Sequence, residues 1–375
     1  MKKVLTIAVV AMLATATLFA GVSFSGRFRQ GYTFTFPEEG DATSAAWKTE
    51  EAKLVIKFSD DNGLWTVGLK NIGALDSNDK WAANASFDVT KALALGGMDL
   101  GDFSLAISLG NNSKMTALSA YSDPTGNEYY KLKNNGKESM QLAMGYGKLA
   151  KFNVAFDPTS DGGSIVISAK TEPVDGIALA AAYSYKGYFA DGFVNDKEEV
   201  KDEKGNTVTG KFNDVYDVTA DHVFGFSANA DIAKLADIDF KLGVSAYDNI
   251  AVEAKEKISG AKYTYNSFAI AVSGGVDLVD AYAEFTMGNK IPEEGDAESK
   301  YGLNMQVNLN PIEKLALDVY YNIADLENAG KYFSVGADAS YDLAGVEFAL
   351  NADYTKAGEG KTGKFSLTPK MIIVF

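Results

Sequence analysis

From residue 22 onward the chain alternates apolar and polar residues, and very few folds accept that pattern for so long. In residues 22–36, Val22, Phe24, Phe28, Tyr32, Phe34 and Phe36 share one parity, while Ser23, Ser25, Arg27, Arg29, Thr33 and Thr35 share the other. A strand sends successive side chains to opposite faces, so the segment has one greasy face and one wet face; a helix would scatter both classes around its circumference. The pattern returns in Leu54/Ile56/Phe58, Phe103/Leu105/Ile107/Leu109, Val279/Ala281/Ala283/Phe285/Met287 and Leu315/Leu317/Val319/Tyr321, and again near the end in Val346/Phe348/Leu350/Ala352/Tyr354. There are about eighteen such segments, most of roughly 9–13 residues, the length a tilted strand needs to cross a bilayer.

The connections also alternate. One set is short, as at residues 60–63, 147–151, 274–278 and 342–345; the other is longer and polar, at 37–49, 111–137, 190–221, 250–261, 288–299 and 357–363. Short turns on one rim and long loops on the other belong to an up-and-down membrane barrel. Apolar-face aromatics gather at strand ends (Phe36, Trp81, Tyr185 and Tyr321 towards the long loops; Phe58, Trp65, Tyr146 and Phe240 towards the short turns), which suits two interfacial girdles. The expected fold is therefore all-β: a transmembrane antiparallel up-and-down β-barrel of about 16–18 strands, with short periplasmic turns and long extracellular loops. Secreted sandwiches, propellers and solenoids also alternate, but they seldom repeat so uniformly along a whole chain.

Composition closes off other classes. The 375 residues include no Cys and one His, which removes disulfide frameworks, thiolate metal sites and cysteine nucleophiles. A formal charge of −15 argues against a nucleic-acid partner. At the N-terminus, Lys2 and Lys3 precede an apolar stretch over residues 4–13 and small residues at Ala14, Ala16 and Ala20. This order reads as a secretory signal peptide over residues 1–20, leaving 21–375 as the barrel.

The last strand carries Phe365, Leu367, Met371, Ile373 and a terminal Phe375 on one face, interrupted by Pro369. A terminal Phe closing an alternating strand resembles the C-terminal recognition strand of bacterial outer-membrane β-barrel proteins. With the signal peptide, the mature chain looks like a porin. The resemblance lies in pattern over residues 21–375 rather than in a named motif. It implies an outer-membrane location, lipid around the barrel, and passive diffusion of small hydrophilic solutes and ions. It also implies recognition of Phe375 by the outer-membrane assembly machinery, and assembly as a homotrimer. General porins fold a long loop inward at the position of residues 111–137, where residues 114–121 could form a short helix.

Sixteen to eighteen strands leave a water-filled lumen, and the wet parity carries short polar residues such as Ser104, Ser108, Ser164, Ser168, Asn304, Gln306 and Asn308. Its charges are uneven. A basic arc comes early (Arg27, Arg29, Lys53, Lys57, Lys70) and an acidic arc late (Asp280, Glu284, Asp318, Asp338, Glu347, Asp353). Opposed arcs across a pore would discriminate ions, with Arg27 and Arg29, the only two arginines, as the basic side of a constriction. Strand closure could instead make parts of the two arcs neighbours.

No catalytic, cofactor or metal site is expected. His222 stands alone near a strand mouth and no glycine elbow surrounds a serine, so a barrel enzyme lacks its parts. Asp60-Asp61-Asn62-Gly63 reads as a turn before a calcium loop, and the charged stretch 196–204 as a solvated surface loop. A surface adhesin or structural barrel, with loops 111–137 and 190–221 as its binding parts, is the competing function.

Overall fold

The computed structural model describes residues 21–38, 43–73, 80–111, 116–122, 132–134, 138–158, 163–191, 199–201, 207–209, 216–255, 262–293, 295–357 and 362–374. The expected signal peptide and Phe375 lie outside them, as do most of residues 190–215.

Eighteen strands form the wall. The first six are β1 (Val22–Pro37), β2 (Ser44–Ser59), β3 (Trp65–Gly73), β4 (Lys80–Asp88), β5 (Phe103–Asn111) and β6 (Glu138–Tyr146). Then come β7 (Ala150–Asp157), β8 (Ser164–Val174), β9 (Ile177–Asp191), β10 (Tyr216–Asp231), β11 (Lys241–Lys255) and β12 (Lys262–Val276). The circuit ends with β13 (Val279–Pro292), β14 (Glu298–Ile312), β15 (Leu315–Ile323), β16 (Tyr332–Leu343), β17 (Val346–Ala357) and β18 (Lys364–Val374). Each strand pairs antiparallel with the next, and β1 pairs with both β2 and β18, so the sheet closes and leaves no edge. The expected barrel and its strand number are both present.

Apart from a few bulges, register keeps the two parities apart. Ile270 faces Ala246 and Phe285, Phe285 faces Leu303, and Val319 faces Val307 and Ala337. These residues form an outer apolar face on which Phe226 (53 %), Val319 (48 %) and Phe348 (48 %) stay exposed. A belt of that character is stable against hydrocarbon and costly against water. The opposite parity, facing the lumen, includes Ser168, Asn249, Ser267 and Glu284.

Turn chemistry explains the short rim. The Asp60 carboxylate accepts the backbone N–H groups of Asn62 (3.2 Å) and Trp65 (2.9 Å), and Gly63 takes a positive φ of +66°. Residues 60–63 are therefore an Asx-type turn. Two connections on this rim are small helices, α1 (Val89–Leu95) and α2 (Ile232–Ala236), capped by Asp88 and Asp231 through the backbone N–H groups of Lys91 and Lys234. Pro369, which reads as an interruption, stays within β18 opposite Leu350. The pairing of β18 with β1 skips Thr368 and Pro369, and the Thr33 and Thr368 hydroxyls bond at 3.0 Å there. The amide that proline lacks is accommodated at an irregularity in the seam.

Candidate functional site: an inward loop in a polar lumen

Residues 116–122 leave the wall after β5 and lie along its inner face. They take no helical conformation, so the helix expected over 114–121 is absent from the described part of it. A helix would satisfy its own amides; these backbone groups are satisfied by inward-facing side chains of the wall instead. The Leu118 N–H donates to Ser168 Oγ on β8 (3.0 Å), and the Ala120 N–H donates to Ser227 Oγ on β10 (2.9 Å). The Ser119 hydroxyl donates to that same Ser227 oxygen (3.0 Å), and Ser245 Oγ on β11 donates to the Ser122 carbonyl (3.1 Å).

Tyr121 is the anchor, with 5 % of its surface exposed. Its hydroxyl donates to Glu284 Oε1 and lies 3.3 Å from the Tyr282 hydroxyl, both on β13. Its ring meets Tyr247 of β11 edge-on at 4.9 Å. Burial and the Glu284 carboxylate push the Tyr121 phenol far above its usual range, which keeps it a donor. Asn304 Nδ2 donates to the other oxygen of Glu284 (2.7 Å), so both carboxylate oxygens are held.

The return limb is seated by apolar contact. The Ala117 N–H donates to the Leu132 carbonyl (2.8 Å), and Leu132 is buried in a cluster with Phe189, Val223 and Ala251. Lys133–Asn134 then pairs with Gly187 and Tyr188 of β9. Gly225 makes room: a Cβ there would stand 2.8 Å from both Leu132 Cδ1 and Asn249 Oδ1. An irregularity between Ala251 and Ala254, with Glu253 at φ +58°, brings Ala254 into the same cluster as Ala251, and β11 runs on to Lys255, into the stretch 250–261 expected as a loop.

The charged candidates fall on the lumen parity. Arg27 is exposed and Arg29 half-buried on β1, and Lys57 is exposed on β2; Lys53 and Lys70 hold inward register positions, with side chains outside the described set. In the acidic group, Asp280 is engaged by Lys241 Nζ (2.8 Å) and Glu284 by the loop. Asp318 on β15 stands directly across from Asp338 on β16, which accepts from Asn351 Nδ2. Asp353 accepts from Thr355 Oγ1 (3.0 Å), and Glu347 lies opposite Asp342.

Of the two layouts that the sequence leaves open, closure favours neighbouring arcs. With β1 paired to β18, the basic strands β1–β3 and the acidic strands β13–β17 are neighbours around the wall, separated by β18 alone. What stands half a turn from β1 is β10 with the inward loop. Tyr247 and Tyr282 are inward aromatics in a lumen expected to carry short polar groups. Their signal was a tyrosine on the wet parity, and their hydroxyl-bearing rings now seat the loop.

His222, expected as a bystander, bonds the Tyr183 hydroxyl through Nδ1 (2.9 Å) on the outer parity, away from the lumen.

No protein-family model matches the chain, and no curated protein matches it. Solved structures do. OpdL of Pseudomonas aeruginosa aligns at 8 % identity over 94 % of this chain and 98 % of its own, with a TM-score of 0.55. OccAB1 of Acinetobacter baumannii aligns at 11 % over 94 % and 97 %, with a TM-score of 0.53. The anion-selective porin of Comamonas acidovorans aligns at 9 % over 95 % and 99 %, with a TM-score of 0.50. At such identities the likeness is one of architecture: the chain is a closed antiparallel barrel of eighteen strands, matching outer-membrane barrel proteins in fold.

Proposed function

We propose that the chain is a bacterial outer-membrane porin, a water-filled channel for passive diffusion of small hydrophilic solutes and ions. In this reading residues 1–20 are a cleaved signal peptide, and Phe375 ends the strand read by the assembly machinery. The outer belt meets lipid, where only helices and closed barrels satisfy every backbone group. One observation carries the function: the segment 116–122 is bonded to the inner wall over β8–β13 and so occupies the lumen on the side away from the polar wall of β17, β18, β1 and β2. A constriction results, with Arg27, Arg29 and their basic neighbours on one flank, Asp318, Asp338 and Asp353 on the next, and Tyr121 on the loop. Solutes pass by size and charge, and the protein performs no chemistry on them.

Purified protein in planar bilayers tests this directly. Stable conductance steps, together with liposome swelling that falls off as sugar size increases, are the expected result. Insertion without channels would overturn the porin reading in favour of a surface-binding or structural barrel.

A further inference from the structure

One inward aromatic ring takes no part in seating the loop. Tyr320 on β15 has the lumen parity, with Gln306 opposite it on β14 and Gly336 opposite it on β16. A Cβ added to Gly336 would meet the Tyr320 hydroxyl oxygen and Cζ first, and then the Ala352 carbonyl oxygen at 2.9 Å. An edge-on ring would bring a Cε atom nearer than any of these. The ring therefore lies face-down on the glycine, which is buried beneath it, and turns its other face to the lumen.

Groups that donate and groups that accept surround that face. On β17, Asn351 bonds the Tyr320 hydroxyl and donates Nδ2 to Asp338. Asp353, opposite Gly336, accepts from Thr355 Oγ1 (3.0 Å). On the other side Gln306 donates Nε2 to Asn308 (2.8 Å), and Asn322 donates to Ser334 Oγ (3.4 Å). Tyr320 and these side chains are half-buried, so each keeps some surface open.

From this geometry we infer that the inner wall over β14–β17 is a saccharide-binding station, which takes a neutral pyranose ring face-down on Tyr320. The C–H face of a pyranose packs on an aromatic face and takes apolar surface out of water without needing a charge. Sugar hydroxyls both donate and accept, as carboxamides do, whereas a simple ion needs partners of a single kind. Asp338 and Asp353 add acceptors, and each already takes a side-chain donor, from Asn351 and Thr355. Lys370 on β18 and Arg29 on β1 share the inner face one and two strands beyond Asp353, so this wall is no unbroken field of one sign. The station is also continuous with the loop's anchor: Tyr282, which meets Tyr121, faces Gln306, and Gln306 faces Tyr320.

The station rests on the porin reading for its access to solute, but its binding can be measured apart from conductance. Calorimetric titration of the detergent-solubilised full-length protein with cellotriose, maltotriose and raffinose is expected to show saturable binding of at least one of them. The same sugar should interrupt the ion current in planar bilayers. Tyr320→Ala is expected to weaken that binding about tenfold, whereas Tyr320→Phe, which keeps the ring face, should stay within about twofold of wild type. Gly336→Val keeps the tyrosine but lifts its ring off the wall, and should weaken binding as Tyr320→Ala does; heat-modifiable gel mobility shows that each barrel is folded. Absence of saturable binding for all of these sugars, or equal affinity in Tyr320→Ala, would overturn the station. Tyr320-dependent binding of arginine or choline, tighter than that of any of the sugars, would overturn it too and assign the ring face to organic cations. Sugar binding by a barrel that passes no current would keep the station and remove the channel; current without sugar binding would keep the channel and remove the station.

Discussion

Tyr121 belongs to no strand, yet it touches side chains more than 120 residues further along the chain. Nothing local in the sequence marks it: its partners come within reach only once β11 and β13 have closed round, so it was invisible to a reading built on period two. Arg27 and Arg29, by contrast, were legible, because parity alone assigns a side chain in a strand to one face. Removal of the Tyr121 hydroxyl takes a charge-assisted donor from a buried carboxylate, a change of about 1.5–3 kcal/mol for such bonds. Tyr121→Phe is expected to keep the ring against Tyr247 and to raise open-channel noise with little change in mean conductance. Tyr121→Ala also removes the ring and is expected to raise the conductance itself. Single-channel recording of the two variants separates the hydroxyl from the ring, and equal traces for all three proteins would deny the loop its anchor.

Elements were read from the sequence in proportion to how far their signal is local. Strand centres and the turn at 60–63 carry their pattern in adjacent residues and are legible, whereas the strand ends at residues 44–49, 216–221 and 251–255 fall in stretches expected as loops. The helical turns α1 and α2 were missed as helices because each is a brief capped run between strands. The seating of the return limb depends on a packing contact that no periodicity encodes, since Gly225 matters only because Leu132 lies over it. Gly225→Val is therefore expected to lift Leu132, leave the barrel folded, and raise conductance about as Tyr121→Ala does; an unchanged conductance would detach the return limb from the narrowing. A second tie joins two long loops. Glu38, just past β1, accepts the Tyr354 hydroxyl (2.6 Å) and the Gly363 N–H (3.3 Å). The Tyr354 bond, helped by Gly363 and Lys356, holds its carboxyl below the ordinary 4.5, against a smaller opposing desolvation. A carboxyl with a lowered folded pKa stabilises the tie fully above its unfolded value and loses that contribution as pH falls through the folded one. Hydrogen exchange at Gly363 should thus be slower in wild type than in Glu38→Gln at pH 6, and the difference should shrink as the carboxyl is titrated with acid.

At the scale of the whole molecule, closure decides what the charges do. Strand order in the sequence separates Arg27 from Asp353 by most of the chain, and an unrolled sheet would set them at opposite edges. Pairing β1 with β18 makes them near neighbours and sets the loop, held over β8–β13, across the lumen from Arg27 and Arg29. In the porin reading proposed above, the narrow part of the channel is bounded by a basic flank, an acidic flank and a loop whose own contacts to the wall are mostly uncharged. An ion crossing it meets both signs at close range, so reversing one flank shifts the local potential without rebuilding the pore. Arg27→Glu/Arg29→Glu joins two carboxylates to an acidic wall that already sets Asp318 directly across from Asp338. The reversal potential in a salt gradient should move towards cation preference, and more strongly at low ionic strength, where screening is weaker. Conductance in symmetrical high salt should change much less, because the width is set by the loop. Replacing residues 116–122 with a glycine-serine linker should do the converse, raising conductance and the sugar-size limit for swelling while moving the reversal potential little. If the arginine reversal altered conductance and left selectivity alone, the basic flank would lie outside the narrow part, and the filter would belong to the loop and its Glu284 anchor.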